Sequence, residues 1–411
     1  MMSAQVLQML EQPDQLEALY REDPAGFRAS LDEALQANPA SVVLEVWRAR
    51  LEYDNPGLSR GWFTKLAYAV TTALVFGALV RLPAVWLDEE WYYPRFAPSL
   101  VLLALSSYFW MERRVRGALI AGLGLAVVTT VYVGLLPGHT DSVVMAMMHL
   151  PIVFLTFLGF VFMGSSWRTT DARIRFVRMN GELLILSSLV ALGGMVFSGV
   201  TISLFELLSK GNGDWYARNV AVVGAVGVPV AGAFLYDVVF ARRTGIAVAL
   251  ARVFAPLFLV MSVVYLVVGI LGGQNPFLDR SFLITVDGLL LVVLGITVYS
   301  IVGDGQATQV KMFDYISIAL VAVTLVIDVI ALSAILFRLA SFGFTPNRVV
   351  VLGVNLVIMI HLSCLFWTYV HTIRRKSERV AVERVVTRYL PVYALWAVVV
   401  TFLLPVVFGF D

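Results

Sequence analysis

Ala319-Leu320-Val321-Ala322-Val323-Thr324-Leu325-Val326-Ile327-Asp328-Val329-Ile330-Ala331-Leu332 is an apolar run with one acid in its middle, and it forms the first half of a hairpin from Asp314 to His371. The second half carries Asn355 and His361, after the polar turn Arg338-Leu339-Ala340-Ser341-Phe342-Gly343-Phe344-Thr345-Pro346-Asn347-Arg348. At about 1.5 Å per residue, each half is long enough to cross a hydrocarbon layer roughly 30 Å thick. A carboxyl at mid-depth costs roughly 2.5–3.5 kcal/mol on insertion scales, so Asp328 is expected to face protein or water and to have a polar partner. It lies ten residues from Arg338, whereas Asn355 and His361 lie seven and thirteen residues from Arg348. In depth the acid therefore falls between the two, about 4–5 Å from each. Six residues turn a helix through about 600°, so Asn355 and His361 cannot both face it. Asn355 is the expected partner, as a structural clamp in preference to a proton relay.

Apolar runs of similar length recur from Trp62 to the end of the chain. Of its 411 residues 59% are hydrophobic and only 14% charged, against roughly 45–50% apolar in a soluble domain. The sequence thus specifies an all-α, polytopic membrane helix bundle. Eleven spans are predicted, at 62–84, 96–111, 117–136, 142–164, 183–208, 220–240, 246–271, 282–303, 316–338, 349–371 and 389–409. The single cysteine, Cys364, excludes an internal disulfide or a thiolate metal cluster within one chain. No basic start followed by an apolar core marks a cleaved signal peptide.

Residues 1–60 form a separate acidic helical segment ahead of the membrane domain, 61–411. Seven acids face two arginines between Met1 and Ser41. Asp23-Pro24 and Asn38-Pro39 have the form of helix starts, because proline fits the first turn and a short polar residue before it caps free N–H groups. The last helix, with Val43, Leu44, Trp47 and Leu51 beside Arg48 and Arg50, is expected to pack near the membrane surface. So short a segment buries little core alone. It is read as a cap on the membrane domain, with a protein-binding module as the alternative.

With the N-terminus cytoplasmic, the predicted inner segments hold twenty basic residues and the outer ones seven. The positive-inside rule then places the N-terminus inside and the C-terminus outside. Trp86, Trp91, Tyr92 and Tyr93 outside, with Trp62, Trp110 and Trp367 inside, suit interfacial belts. Two inner polar segments stand out, Ser165–Glu182 and the basic, amphipathic His371–Arg388. Membrane lipid, anionic in particular, is their expected partner. Nucleic acid is not, since no soluble basic domain accompanies them.

Several spans are interrupted, notably the sixth by Gly224, Gly227, Pro229 and Gly232, and the fourth by Pro151 two residues after His149. Such breaks mark either close helix contacts or a polar pathway. Glu206, Asp237 and Asp287 lie near span ends, where snorkelling or a nearby arginine accounts for them. Metalloprotease, serine-hydrolase and phosphate-loop signatures are all missing, as is a metal-spaced cluster of His and carboxylates. No cofactor or metal is implied. Of the four histidines, His139, His149, His361 and His371, a catalytic one is conceivable only in a membrane-embedded, acyltransferase-like site.

The turn Gly343-Phe344-Thr345-Pro346-Asn347-Arg348, followed by Leu352-Gly353-Val354-Asn355-Leu356, resembles the C-terminal part of a group of bacterial integral membrane proteins, the domain of unknown function numbered 4153. The resemblance rests on about a tenth of the chain and implies a bacterial inner-membrane protein, with no activity and no functional residue to carry over. Physically, Gly343 permits a tight exit and Thr345-Pro346 starts the next helix. Arg348 and Asn347 are then a turn anchor or a headgroup contact. The functional expectation is a permease-like or lipid-handling protein, with a polar site of Asp328, Asn355, His361 and His149. A membrane scaffold or sensor is the alternative.

Overall fold

The structure is a computed structural model that describes residues 2–38, 41–54, 61–138, 140–207, 213–242, 245–271, 277, 280–302, 312–375 and 380–410. The chain divides into two compact units: residues 1–62 with the short stretch 238–241, and residues 63–237 with 242–411.

The first unit has four helices, α1 (Met2–Gln8), α2 (Pro13–Glu22), α3 (Pro24–Ala37) and α4 (Val42–Asp54). Proline opens α2 and α3, and the Asp23 carboxylate accepts the Gly26 N–H at 2.9 Å as the cap of α3. α4 begins later than the Asn38-Pro39 signal suggested: Ser41 Oγ accepts the Leu44 N–H at 3.4 Å, while Pro39 lies outside the described residues. Leu44, Trp47 and Leu51 of α4 join Val6, Leu16, Phe27 and Leu31 in a core belonging to the unit itself. The Phe27 and Trp47 rings pack 4.9 Å apart, and the Arg50 guanidinium sits 4.5 Å over Trp47. Hydrogen bonds from Arg50, and then from Arg21, hold the Glu17 carboxyl below its ordinary pKa.

The second unit contains eleven long helices. They are α5 (Trp62–Arg81), α6 (Glu89–Arg113), α7 (Arg116–Leu135), α8 (Asp141–Met163), α9 (Thr170–Leu207), α10 (Gly213–Val239), α11 (Ile246–Leu271), α12 (Arg280–Val302), α13 (Met312–Phe342), α14 (Pro346–Arg375) and α15 (Val380–Val407). No strand occurs among the described residues. Ten of the eleven are long and apolar enough to cross a membrane; α6, with Glu89, Glu90, Arg95 and Glu112, is not among them by composition.

Contacts at its two ends nevertheless show that α6 runs the length of the bundle. Its last turns meet the start of α5 and the end of α10, where Lys65, Tyr108 and Glu112 converge around Asp237 and Arg242. Its first turn meets the end of α5, where Arg81 bonds both Glu89 and Asn219 of α10. α5 and α6 therefore run antiparallel through the same layer. Further ties between helix ends extend the alternation: Arg178 of α9 reaches the Val302 carbonyl of α12, and Arg173 of α9 reaches the Thr387 carbonyl of α15. The end that holds Lys65, Arg173, Arg175, Arg178 and Arg242 is called the basic end below.

Ser165–Glu182 is not the connecting segment expected from its polarity. From Thr170 onward it forms the first turns of α9, a helix of 38 residues. Arg178 donates to the Val302 carbonyl at the end of α12 and Arg173 to the Thr387 carbonyl, which Pro391 leaves without a helical donor, while Glu182, fully buried, accepts the Ile246 and Ala247 N–H groups that open α11.

Two cores fill the bundle. Ala104, Leu105, Tyr108, Leu158, Met179, Val230 and Ala233 form one, between α6, α8, α9 and α10. Val286, Leu290, Val293, Leu320, Ile327, Ile358, Leu362 and Val382 form the other, between α12, α13, α14 and α15. The outward faces are apolar as well, with Ile120, Leu123 and Val127 of α7 and Leu189, Leu192 and Val196 of α9 all exposed. An apolar exterior over a packed interior is what hydrocarbon solvent selects. The protein is a multi-pass membrane protein. In α10, Gly232 gives close contact, since a Cβ there would overlap Ser187 of α9. Pro229 lies between two π-helical turns, Ala217–Ala221 and Leu235–Val239.

Candidate functional site

The polar residues inside the second core come from three adjacent helices. α13 presents Asp328, which is fully buried; α14 presents Asn355, 1% exposed; α12 presents Asp287, which is partly buried. The Asn355 amide donates to Asp287 Oδ1 at 2.9 Å. That corrects the expected clamp. Asn355 bonds the acid of α12, whereas both carboxyl oxygens of Asp328 are sealed away without a hydrogen-bond partner, as is Asn355 Oδ1. Asp287 and Asp328 stand on neighbouring helices whose Val286 and Ile327 share one core.

Sequence reasoning passed over Asp287 as an interfacial acid. Its depth was the usable signal: Asp287 is seven residues from Arg280, and Asn355 is seven from Arg348. Both therefore lie about 10 Å below the same end of the bundle.

The remaining expected members are elsewhere. His361 turns to the other side of α14, as its offset of six residues from Asn355 requires. There its Nδ1 is 2.8 Å from the Tyr393 hydroxyl of α15, and its ring stacks on Tyr389 with centroids 4.3 Å apart. Its Nε2 is buried without a partner. His149, on α8, makes one local contact, 2.9 Å from Nδ1 to the Met145 carbonyl of its own helix. Neither histidine joins the carboxyl pair. His139 lies outside the described residues.

In the turn between α13 and α14, Gly343 has φ +80°, and Thr345 Oγ1 accepts the Arg348 N–H at 3.4 Å. Arg348 Nη1 donates to both the Phe342 and Gly343 carbonyls at 2.8 Å. Its cation thus closes the end of α13. Asn347 is half-buried beside it.

The chemistry of the site is uneven. Asp287, Asp328 and Asn355 carry five carboxyl and amide oxygens on three adjacent helices, and three of these oxygens are buried without a donor. A donor-poor cluster of carboxyl oxygens at hydrocarbon depth attracts a cation or a proton. One turn from Asp328 toward the basic end, on the same face of α13, Thr324 is fully buried too, with its hydroxyl unpartnered. Among the described residues no group of three or more His, Cys, Asp or Glu side chains could hold a metal.

A second charged cluster lies at the basic end. Asp237, predicted to be served by the neighbouring arginines of the sequence, pairs with Lys65 of α5 and with Arg242, which donates from Nε at 2.6 Å. Arg242 also reaches Glu112 at 2.7 Å. Burial alone would lower the Arg242 pKa; the Asp237 and Glu112 carboxylates outweigh it and hold the value above normal. Arg243 lies outside the described residues.

No family model, curated protein or solved structure matches the chain.

Proposed function

We propose that this membrane protein is a permease-like carrier in which Asp287 and Asp328 form a proton-coupling site. One observation carries the reading: three adjacent helices place two acids and an asparagine in one packed core, where the Asn355 amide donates to Asp287 and the fully buried Asp328 has no donor. Burying both acids ionised is prohibitive, and a proton taken up by Asp328 relieves it. A proton also suits the space. Asp328 is 0% exposed, so no water-sized void touches it, and a hydrated metal ion has no room. Asp287 is only partly buried and lies nearer the end of the bundle than the sealed acid. The two are suited to pass a proton inward, with Thr324 one turn further along.

His361 is held by tyrosine and has no carboxylate partner among the described residues, which weighs against the acyltransferase-like alternative. The scaffold or sensor reading is favoured by a different feature, the separate core of residues 1–62. Placement in a bacterial inner membrane, with the basic end cytoplasmic, belongs to the same proposal. It rests on the Gly343–Arg348 turn and on the positive-inside rule.

The test is infrared difference spectroscopy of the purified full-length chain between acid and alkaline buffer. It is paired with proton-gradient collapse in inverted vesicles challenged with a panel of small solutes. A carboxyl C=O band should titrate in the wild type and be lost in Asp328→Asn, which should also abolish any solute-induced proton movement. A band and a proton response unchanged in Asp328→Asn would overturn the coupling site and leave the scaffold reading standing.

A further inference from the structure

At the basic end a cavity of about 170 Å³ lies between the ends of α6, α8 and α10 and the first turns of α9, with Arg175, Arg178, Arg242, Glu112 and Tyr236 in its wall. A single water needs roughly 10–15 Å³ on that scale, so a phosphate group fits.

The wall carries excess positive charge of a particular kind. Glu112 and Asp237 are both engaged by Arg242, and Asp237 also by Lys65. Glu182, also close by, serves as acceptor for the first N–H groups of α11. Arg175 and Arg178 remain without a carboxylate. Arg178 uses Nη2 on the Val302 carbonyl at 2.6 Å, and its Nε is buried with no partner. Arg175, four residues past Asp171 on the exposed edge of α9, makes no hydrogen bond or ion pair among the described residues. Arg178 and Arg242 are held in place by their other contacts, so two of the three guanidinium groups are already oriented toward a shared space. Several planar forks around one small space match an anion with several oxygens better than a single carboxylate.

We infer that this pocket binds a phosphate group, carried either by a phospholipid headgroup or by a soluble phosphorylated molecule. The inference stands apart from the carboxyl pair, which lies in the other core, and neither depends on the other.

The experiment is thermal unfolding of the full-length chain, delipidated in a neutral detergent and titrated separately with phosphatidylglycerol, phosphatidylcholine and glycerol 3-phosphate. The expected result is saturable stabilisation by phosphatidylglycerol, by glycerol 3-phosphate, or by both. Half-saturation should rise roughly tenfold in Arg175→Gln, as befits loss of one charge-assisted hydrogen bond. It should recover in part in Arg175→Lys and fall in Glu112→Gln, which removes the negative charge from the wall. Arg168→Gln, a surface change on the same end, should titrate like the wild type. Arg178→Gln also removes a helix-end contact, so Arg175 is the deciding position. Stabilisation by phosphatidylglycerol with no response to glycerol 3-phosphate assigns the pocket to lipid; an equal response to glycerol 3-phosphate assigns it to a soluble ligand. The inference is overturned if Arg175→Gln and Glu112→Gln titrate as the wild type does, or if phosphatidylcholine stabilises as well as phosphatidylglycerol while glycerol 3-phosphate has no effect.

Discussion

Replacing Asn355 by leucine removes the only amide donor in the carboxyl site and leaves Asp287 without its 2.9 Å hydrogen bond. Side-chain hydrogen bonds between membrane helices average about 0.6 kcal/mol, with a maximum near 1.7. This one ends on a carboxyl group and is only partly buried, so a coupling of about 1 kcal/mol is expected. The appropriate assay is a double-mutant cycle of Asn355→Leu and Asp287→Leu, read by reversible unfolding in mixed detergent. Asp328 should behave in the opposite way. Its two oxygens have no donor, so Asp328→Asn removes no hydrogen bond and brings N–H groups to a cluster that lacks them. Stability should then hold or rise, by up to about 1 kcal/mol. Independent additivity of Asn355→Leu and Asp287→Leu would refute the contact. Marked destabilisation by Asp328→Asn would refute the account of an unpartnered acid.

If α6 crosses together with the ten apolar helices, reporters fused at the N-terminus and after Asp411 should give opposite accessibility; equal accessibility would mean that α6 does not cross. Arg348→Ala loses both carbonyl contacts of the α13–α14 turn, and thermal unfolding should show a loss of about 1–2 kcal/mol; Gly343→Ala, which places a side chain at φ +80°, should lose about 1 kcal/mol by the same assay. In the first unit, the Glu17 pKa is depressed in the folded state, so its stabilising pairing with Arg50 and Arg21 is fully present above the ordinary glutamate value of about 4.3. That contribution should disappear as the pH falls through the lower folded-state value. Limited proteolysis of α2 and α4 in the full-length chain should therefore accelerate on acidification in the wild type, and less so in Glu17→Gln.

Fold class and ten apolar helices were legible because hydrocarbon thickness fixes how long an apolar run must be. α6 shows the limit of hydropathy alone: Arg95 is almost wholly buried yet donates to the Trp91 and Pro137 carbonyls, so a charge that argues against a span is in fact satisfied within one. The first turns of α9 misled for a related reason. Arg173 and Arg178 suggested a solvent-facing loop, but their acceptors are carbonyls of distant helices, which no local pattern reveals. At the carboxyl site, sequence gave the depth of Asp328 and Asn355 but not the rotation of each helix. Packing then set α12, in addition to α13, beside the asparagine. The core of residues 1–62 was underestimated because Trp47 and Phe27 supply large buried surfaces from few residues.

The arginine clasp at Phe342 and Gly343 has a mechanical consequence. By closing the turn it makes α13 and α14 one lever, with Asp328 and Asn355 fixed on the same arm. Asp287 rides on α12, outside that arm. A movement that separates α12 from the hairpin must break the Asp287–Asn355 contact, so a pair of spin labels bridging α12 and α14 is the gauge that registers it, while a pair across the clasped α13–α14 turn should keep a constant distance.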